Sequence, residues 1–181
     1  MDNEESILDE LMEQADKLQE QDFVMRFQGR RMVHQQSIGE HMAHVTQYLL
    51  LLFSVYDVPE HDQLLALKRA CTHDLPETET ADIPYPTHVM HPAFSEQYDH
   101  VEQAIWHDKY PHLDNTLQKG SPAWKLVKVA DKMDVLAYIR QEQMLGNTND
   151  YLAEAYKEGW QRTTQLIREL SNEYKAIRQA Q

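Results

Sequence analysis

The apolar residues of this chain recur three or four positions apart over several long segments, and no segment alternates convincingly between apolar and polar residues. Residues three or four apart share one face of a helix, whereas a strand places every second residue on one face. Gly and Pro number only 5 and 7 in 181 residues, which disfavours a fold built on tight turns. We therefore predict an all-α protein, a helical bundle that forms a single domain over residues 1–181.

Local sequence signals set the ends of the predicted helices. Ser37, with Glu40 three residues later, forms a capping box, in which each side chain accepts a hydrogen bond from the other residue's backbone N–H. Pro59 and the pair Ser121-Pro122 suit the first turns of two later helices. Residues 75–92 are rich in Pro and are predicted to be a loop with short helical pieces. Helices are predicted at residues 4–21, 37–56, 59 to near 73, 94–106, 121 onward and 150–178, with a further loop at 109–120.

Charge and composition exclude several classes of protein. The formal net charge of −13 argues against a nucleic-acid-binding protein, which normally presents a basic face. The chain shows no signal pattern and no apolar run long enough to span a membrane, so we expect a cytoplasmic protein. A single Cys excludes an internal disulfide and a Cys-based zinc finger. An anionic substrate would need a dication and local Arg or Lys to overcome the overall negative charge.

The ten His residues direct attention to metal binding. His41 lies on the apolar face of its helix, and taken alone it is better explained as a core His bonded to a carboxylate. His73 and Asp74 follow a strongly apolar segment, and Asp131 lies on an apolar helix flank. A carboxylate buried there without a partner is costly, so it is normally paired or bound to a metal. We predict that these four residues bind one divalent metal ion.

The chemistry of these ligands limits the choice of metal. Two imidazoles and two carboxylates suit Mn²⁺, Co²⁺, Fe²⁺ or Zn²⁺ better than Mg²⁺, which prefers oxygen ligands. Four protein ligands on an ion that accepts six leave room for a substrate, as a catalytic site requires. Glu77 follows His73 by four residues, so one helical turn would bring it beside the ligands as an acid–base group. Spacing alone supports equally a solvated Glu in an acidic loop.

Five blocks of sequence occur in order and together carry a family resemblance. They are Arg26, residues 37–41, residues 73–77, residues 80–84 and residues 126–131. The blocks resemble those of the HD-domain 5′-deoxynucleotidase family, YfbR-like, and of related phage deoxynucleoside triphosphohydrolases. A His-Asp dipeptide alone is weak evidence, whereas five ordered blocks between Arg26 and Ile139 are specific. The resemblance implies an HD-type helical domain with metal-dependent phosphohydrolase activity.

The resemblance also implies roles for individual residues. The positions of His41, His73, Asp74 and Asp131 bind the metal in that family. Glu77 takes the position of the acid–base residue, and Asp82 belongs to a catalytic loop near the site. The position of Arg26 holds phosphate. Lys128 matches a further phosphate contact of some members, and it lies three residues before Asp131, hence on the same helix face.

Two predicted substrate-binding positions depart from the family pattern. Phe27 stands where members often carry Trp after the first Arg, which leaves base or sugar selectivity open. His88 stands where many members carry Lys. An unperturbed His is mostly uncharged at neutral pH, so a phosphate contact there would be weaker.

The remaining His residues are predicted not to bind the metal. His107-Asp108 is a second His-Asp pair, but no carboxylate follows three residues after the Asp, and a surface position is expected. The others are His34, His44, His61, His91, His100 and His112; only a second metal would give His34 or His91 a role.

The predicted function is metal-dependent hydrolysis of a deoxynucleotide, either a 5′-monophosphate or a triphosphate such as dATP. One alternative is an HD hydrolase of another nucleotide, such as an alarmone or a cyclic nucleotide, which the short Asp-Ile-Pro loop disfavours. The other is a non-catalytic helical module that binds metal for interaction. Glu77, Arg26 and Lys128 argue against that module, because a structural metal site needs none of them. The amphipathic last helix makes a homo-oligomer, a dimer or larger, the expected assembly, although packing in the core would explain its apolar stripe equally well.

Overall fold

The computed structural model describes residues 3–113 and 117–180. Within those residues it contains no strand, and the prediction of an all-α fold is confirmed. A lone antiparallel bridge joins Met25 to Ser37. The helices are α1 (Asn3–Gln19), a 3-10 turn (Glu20–Asp22), α2 (Ile38–Tyr56), α3 (Glu60–Ala70), α4 (Glu77–Thr80), α5 (Tyr85–Met90), α6 (Pro92–Lys109), α7 (Pro122–Met144) and α8 (Asp150–Ala180).

The predicted helix boundaries are close to the observed ones. Helix α3 ends at Ala70, and His73 and Asp74 lie in the turn that follows it, near the end of the helix as predicted. The predicted loop at 109–120 includes residues 114–116, which lie outside the described residues. No helix in the described part of the chain is both long and apolar enough to cross a membrane.

The chain divides into two compact units. The first comprises the described residues up to Arg30, with Gln35–Glu40 and Asp74–His112; the second comprises Arg31–His34, His41–His73 and the described residues from Leu113 onward. Helix α2 contributes its first three residues to the first unit and the rest to the second.

The capping box at the start of α2 is confirmed. The backbone N–H of Ser37 donates to Oε2 of Glu40 at 2.9 Å, and the N–H of Glu40 donates to Oγ of Ser37 at 3.1 Å. The first N–H groups of a helix lack partners within the helix, and this exchange satisfies one of them. The cap therefore begins α2 three residues before His41.

The second unit has its core between α2, α3, α7 and α8. Its buried apolar residues share the helical spacing seen in the sequence and include Val45, Leu49, Leu126, Val129 and Leu170. Helix α7 packs against both α3 and α8. Ser121 caps α7 by accepting a hydrogen bond from the N–H of Trp124. This packing holds the polar residues of α7 at defined positions among apolar neighbours.

In the first unit, the four-residue helix α4 is held against α6. Oγ1 of Thr78 lies 3.1 Å from the hydroxyl of Tyr110, and Oγ1 of Thr80 lies 2.7 Å from the hydroxyl of Tyr98. Lys109 adds an ion pair with Glu79 at 2.6 Å. An isolated helix of four residues is not stable. These contacts therefore determine the orientation of α4.

Glu142 fixes an irregular segment of the second unit. It is fully buried on α7 and accepts hydrogen bonds from the N–H groups of Val33 and His34, each at 2.7 Å. The side chain of Asn147 donates a third bond at 2.7 Å. Burial alone would raise the pKa of Glu142, but these hydrogen bonds outweigh it and lower the pKa. The ionised carboxylate thus serves as the acceptor for the N–H groups of Val33 and His34.

We expect Glu142→Gln to lower the free energy of unfolding by about 1–3 kcal/mol, because the amide group turns a donor toward one of these N–H groups. Urea unfolding would measure the loss, with the exposed Glu154→Gln as the control. The wild-type advantage should be present above about pH 4.5, the ordinary pKa of Glu, and vanish as the pH falls through the lowered folded pKa. An unchanged unfolding midpoint at neutral pH would contradict this role.

Candidate metal centre

Three of the predicted metal ligands converge within the second unit. Nε2 of His41 lies 3.3 Å from Nε2 of His73 and 3.5 Å from Oδ1 of Asp131. All three residues are buried, and His41 has no exposed surface. Asp74, the fourth predicted ligand, follows His73 directly in the chain and belongs to the first unit. Its role as a ligand remains a prediction.

The hydrogen bonds of the two rings decide which nitrogens are available. Nδ1 of His41 lies 2.6 Å from Oδ2 of Asp134, and Nδ1 of His73 lies 2.9 Å from the carbonyl oxygen of Ala70. Carboxylate and carbonyl oxygens only accept, so each Nδ1 carries the donated proton. In the neutral rings the Nε2 atoms then bear lone pairs, and these face each other at 3.3 Å.

Two facing lone pairs beside a carboxylate repel one another unless a proton or a metal cation lies between them. Imidazole nitrogens and carboxylate oxygens are the ligands that Zn²⁺ and similar dications take. The bonds at Nδ1 are those that metal-binding His residues usually make. The donor set of these residues therefore fits a divalent metal.

Asp131 is held ionised by positive neighbours. Its Oδ2 lies 3.2 Å from Nζ of Lys132 and 3.9 Å from Nζ of Lys128. Burial would raise the pKa of Asp131, but these lysines, with His41 and His73, lower it well below its usual value. One carboxylate oxygen thus faces the imidazoles and the other faces the lysines. Lys132 was missed by the sequence reasoning, although it adjoins Asp131.

Asp134 is a further residue that the sequence reasoning missed. Only 1% of it is exposed, and its second oxygen lies 3.1 Å from Nδ1 of His44. Asp134 comes three residues after Asp131 on α7, so helical spacing alone could have placed both on one face. His44 was predicted not to bind the metal, and its Nδ1 faces this carboxylate.

In the first unit, Glu77 begins α4 with one oxygen unsatisfied. Its Oε2 is buried and has no hydrogen-bond partner among the described residues. Burial, followed by the charges of Asp74 and Asp82, raises the pKa of Glu77 well above its ordinary value of 4.5, and Arg26 offsets part of the rise. These surroundings favour the protonated form of Glu77, as an acid–base group requires.

Arg26 and its neighbour Phe27 are each held by a hydrogen bond within the first unit. Arg26 is largely buried, and its Nη1 donates to Oε1 of Gln36 at 2.9 Å. The backbone N–H of Phe27 donates to Oδ2 of Asp82 at 2.9 Å. Phe27 has φ 58° and Ala81 has φ 60°, a left-handed backbone that is strained for residues other than Gly. Strain of this kind concentrates at functional sites.

The side chain of His88 contacts two residues of helix α6. Its Nδ1 lies 3.2 Å from Oγ of Ser95, and its ring meets the edge of Tyr98 at 5.2 Å between centroids. The ring is therefore packed in place, and a phosphate contact by His88 remains a prediction. The second His-Asp pair, His107-Asp108, is exposed in the last turn of α6, as the sequence predicted.

Solved structures with the same fold indicate the class of protein. An HD-domain phosphohydrolase from Listeria innocua has a TM-score of 0.73 and 20% identity, with 91% of this chain and 84% of that chain covered. A Pyrococcus horikoshii protein has a TM-score of 0.67 and 24% identity, over 90% and 97% of the two chains. The HD phosphohydrolase DatZ of cyanophage S-2L, bound to dA and one catalytic Zn²⁺ ion, has a TM-score of 0.63 and 17% identity, over 89% and 96%. The chain has the fold of HD-domain phosphohydrolases.

The family match is more specific than the fold. A family model described as 5′-deoxynucleotidase YfbR-like matches residues 13–175. The chain belongs to this family and is a metal-dependent nucleotide phosphohydrolase. This membership decides against the non-catalytic module that the sequence left open. No curated protein sequence is similar enough to this chain to count as a match.

Proposed function

We propose that this protein removes phosphate groups from deoxynucleotides, with a divalent metal held by His41, His73, Asp74 and Asp131. The observation that carries the proposal is the close approach of three ligand atoms: Nε2 of His41 lies 3.3 Å from Nε2 of His73 and 3.5 Å from Oδ1 of Asp131. Membership of the YfbR-like family, described as 5′-deoxynucleotidase, supports the substrate class. We propose further that residues 1–181 work as a single HD-type domain.

When bound, a divalent metal supplies Lewis-acid stabilisation of charge on a phosphoryl oxygen. The remaining roles, phosphate binding and proton transfer, are assigned to side chains of the protein. Arg26 is assigned to the phosphate, because a guanidinium pairs with two phosphate oxygens at once. Its bond to Gln36 holds it in position beforehand. Lys128 is a second candidate for phosphate, since its Nζ lies 3.9 Å from Asp131, a proposed ligand.

Glu77 is assigned the proton transfer. The raised pKa favours the protonated form of Glu77, and its Oε2 has no hydrogen-bond partner among the described residues. Asp82 accepts a hydrogen bond from the backbone N–H of Phe27, the residue that follows the proposed phosphate-binding Arg26. Phe27 is proposed to contact the base or sugar.

The choice among deoxynucleotides is open to direct test. DatZ is bound to dA and to Zn²⁺, which supports including Zn²⁺ and adenine deoxynucleotides such as dAMP and dATP in a first panel. Mn²⁺, Co²⁺ and Fe²⁺ suit the same donors. The cytoplasmic location and the homo-oligomeric assembly remain predictions of the sequence.

The experiment is phosphate release from the four deoxynucleoside mono- and triphosphates, with each metal added in turn. The matching ribonucleotides and an alarmone serve as the comparison substrates. We expect hydrolysis of at least one deoxynucleotide, and its loss when a chelator is added. Identifying inorganic phosphate or triphosphate as the product distinguishes the two reactions. Activity confined to the alarmone, or unaffected by the chelator, would contradict the proposal.

A further inference from the structure

Asp134 lies between two His residues of α2 in the second unit. It is on α7, three residues beyond Asp131, and 1% of it is exposed. Its two oxygens are divided between the two rings: Oδ2 lies 2.6 Å from Nδ1 of His41, and Oδ1 lies 3.1 Å from Nδ1 of His44. None of the sequence blocks that carry the family resemblance contains Asp134.

A carboxylate in this place restricts His41 in two ways. Because the ionised group only accepts, the proton of neutral His41 is held at Nδ1, and the lone pair is left at Nε2. The short bond also sets the rotation of the ring. Turning the ring over would direct a C–H group at Asp134 and take Nε2 away from His73 and Asp131, which now lie 3.3 and 3.5 Å from it.

His44 contacts the other oxygen of Asp134. About half of its side chain is exposed, so it joins the buried carboxylate to the surface of the unit. A buried carboxylate with one oxygen unsatisfied is costly. The bond from His44 satisfies the second oxygen and leaves the first for His41.

We propose that Asp134 is a positioning residue of the metal centre, which holds His41 in the tautomer and orientation needed to bind a divalent metal through Nε2. This inference rests on the proposed metal centre. It adds a residue that does not touch the metal or the substrate but determines how one ligand presents its lone pair.

The first test is the metal affinity of Asp134→Asn. The variant keeps the size of the side chain but has one acceptor oxygen, and its amide nitrogen meets one of the two Nδ1–H donors. We expect the dissociation constant for Zn²⁺ or Mn²⁺, measured by competition with a chelating dye, to rise about 10–100-fold. The control is Asp108→Asn, which makes the same change at an exposed position of α6 and should bind metal as the wild type does. Wild-type affinity in a folded Asp134→Asn protein would overturn the proposal.

The second test does not depend on a variant that folds. Nitrogen-15 NMR of the metal-free wild-type protein, at a pH where His is neutral, distinguishes the two His tautomers. We expect His41 to carry its proton at Nδ1. A proton at Nε2 of His41 would overturn the role of Asp134. If the wild type binds no metal but His41 is protonated at Nδ1, the proposed metal centre fails while the link between Asp134 and His41 stands.

Discussion

Replacing Asp131 by Ala is expected to abolish hydrolysis and to weaken metal binding by more than the roughly 10–100-fold that loss of an orienting partner costs. The carboxylate lies on the Nε2 side of His41, 3.5 Å from this nitrogen, whereas Asp134 contacts Nδ1 on the other side of the ring. Without it, two neutral nitrogens remain from that unit, with Lys128 and Lys132 nearby. Uncompensated positive charge close to the site opposes the binding of a dication.

Metal content after dialysis, the dissociation constant for Zn²⁺ and phosphate release would be measured together for Asp131→Ala. The helices should persist, so the circular dichroism of the metal-free variant should match that of the wild type. Asp108→Ala is the matched control, because Asp108 also follows a His but is exposed on α6. A variant that retains full metal content and wild-type turnover would contradict the assignment of Asp131.

The fold was predictable because its signals are local. Helical periodicity and the capping box at Ser37 depend on residues within one or two turns of each other, and so both appear in the sequence. Asp131 was also recognisable, since a carboxylate on an apolar flank requires a partner. These are properties of single helices.

Asp134 and Glu142 were not predicted because their partners are distant in sequence. Asp134 bonds to His41, 93 residues away, and Glu142 bonds to the backbone of Val33, 109 residues away. Each is an ordinary polar residue of α7 until the packing of the second unit brings its partner to it. The segment before α2 shows no helical period in the sequence. In the structure, the N–H groups of Val33 and His34 in this segment donate to Glu142 of α7.

The backbone of Phe27 also could not be read from sequence. Left-handed residues are expected at Gly, Asn or Asp, and neither Phe27 nor Ala81 belongs to these types. Their conformations depend on surrounding hydrogen bonds, such as that from Phe27 to Asp82. The sequence identified both neighbourhoods through the family resemblance rather than through backbone propensity.

Glu77→Gln is expected to give an enzyme that binds metal but hydrolyses its substrate about 10²–10⁴-fold more slowly, the usual cost of removing an acid–base group. The sequence left a solvated loop residue as an equal interpretation of Glu77. In the structure its Oε2 is buried, which argues against that interpretation. The amide of Gln has nearly the same shape but holds no titratable proton.

Turnover and metal content would be measured on the same samples, with Glu79→Gln of the same helix as the control. Unchanged turnover of Glu77→Gln would contradict the assignment.

The same substitution should make the metal-free protein more stable at neutral pH. Because the pKa of Glu77 is raised in the folded state, its ionisation costs the folded protein free energy as the pH rises above the ordinary value of 4.5. Glutamine carries no charge, so Glu77→Gln should melt at a higher temperature than the wild type in the presence of a chelator, and the difference should shrink as the pH falls toward 4.5. Glu79→Gln should change stability in the opposite direction, because it loses the ion pair with Lys109. A group retained at the expense of stability is typical of a functional site. A Glu77→Gln variant that is slower but also less stable at neutral pH would indicate that Glu77 supports α4 rather than proton transfer.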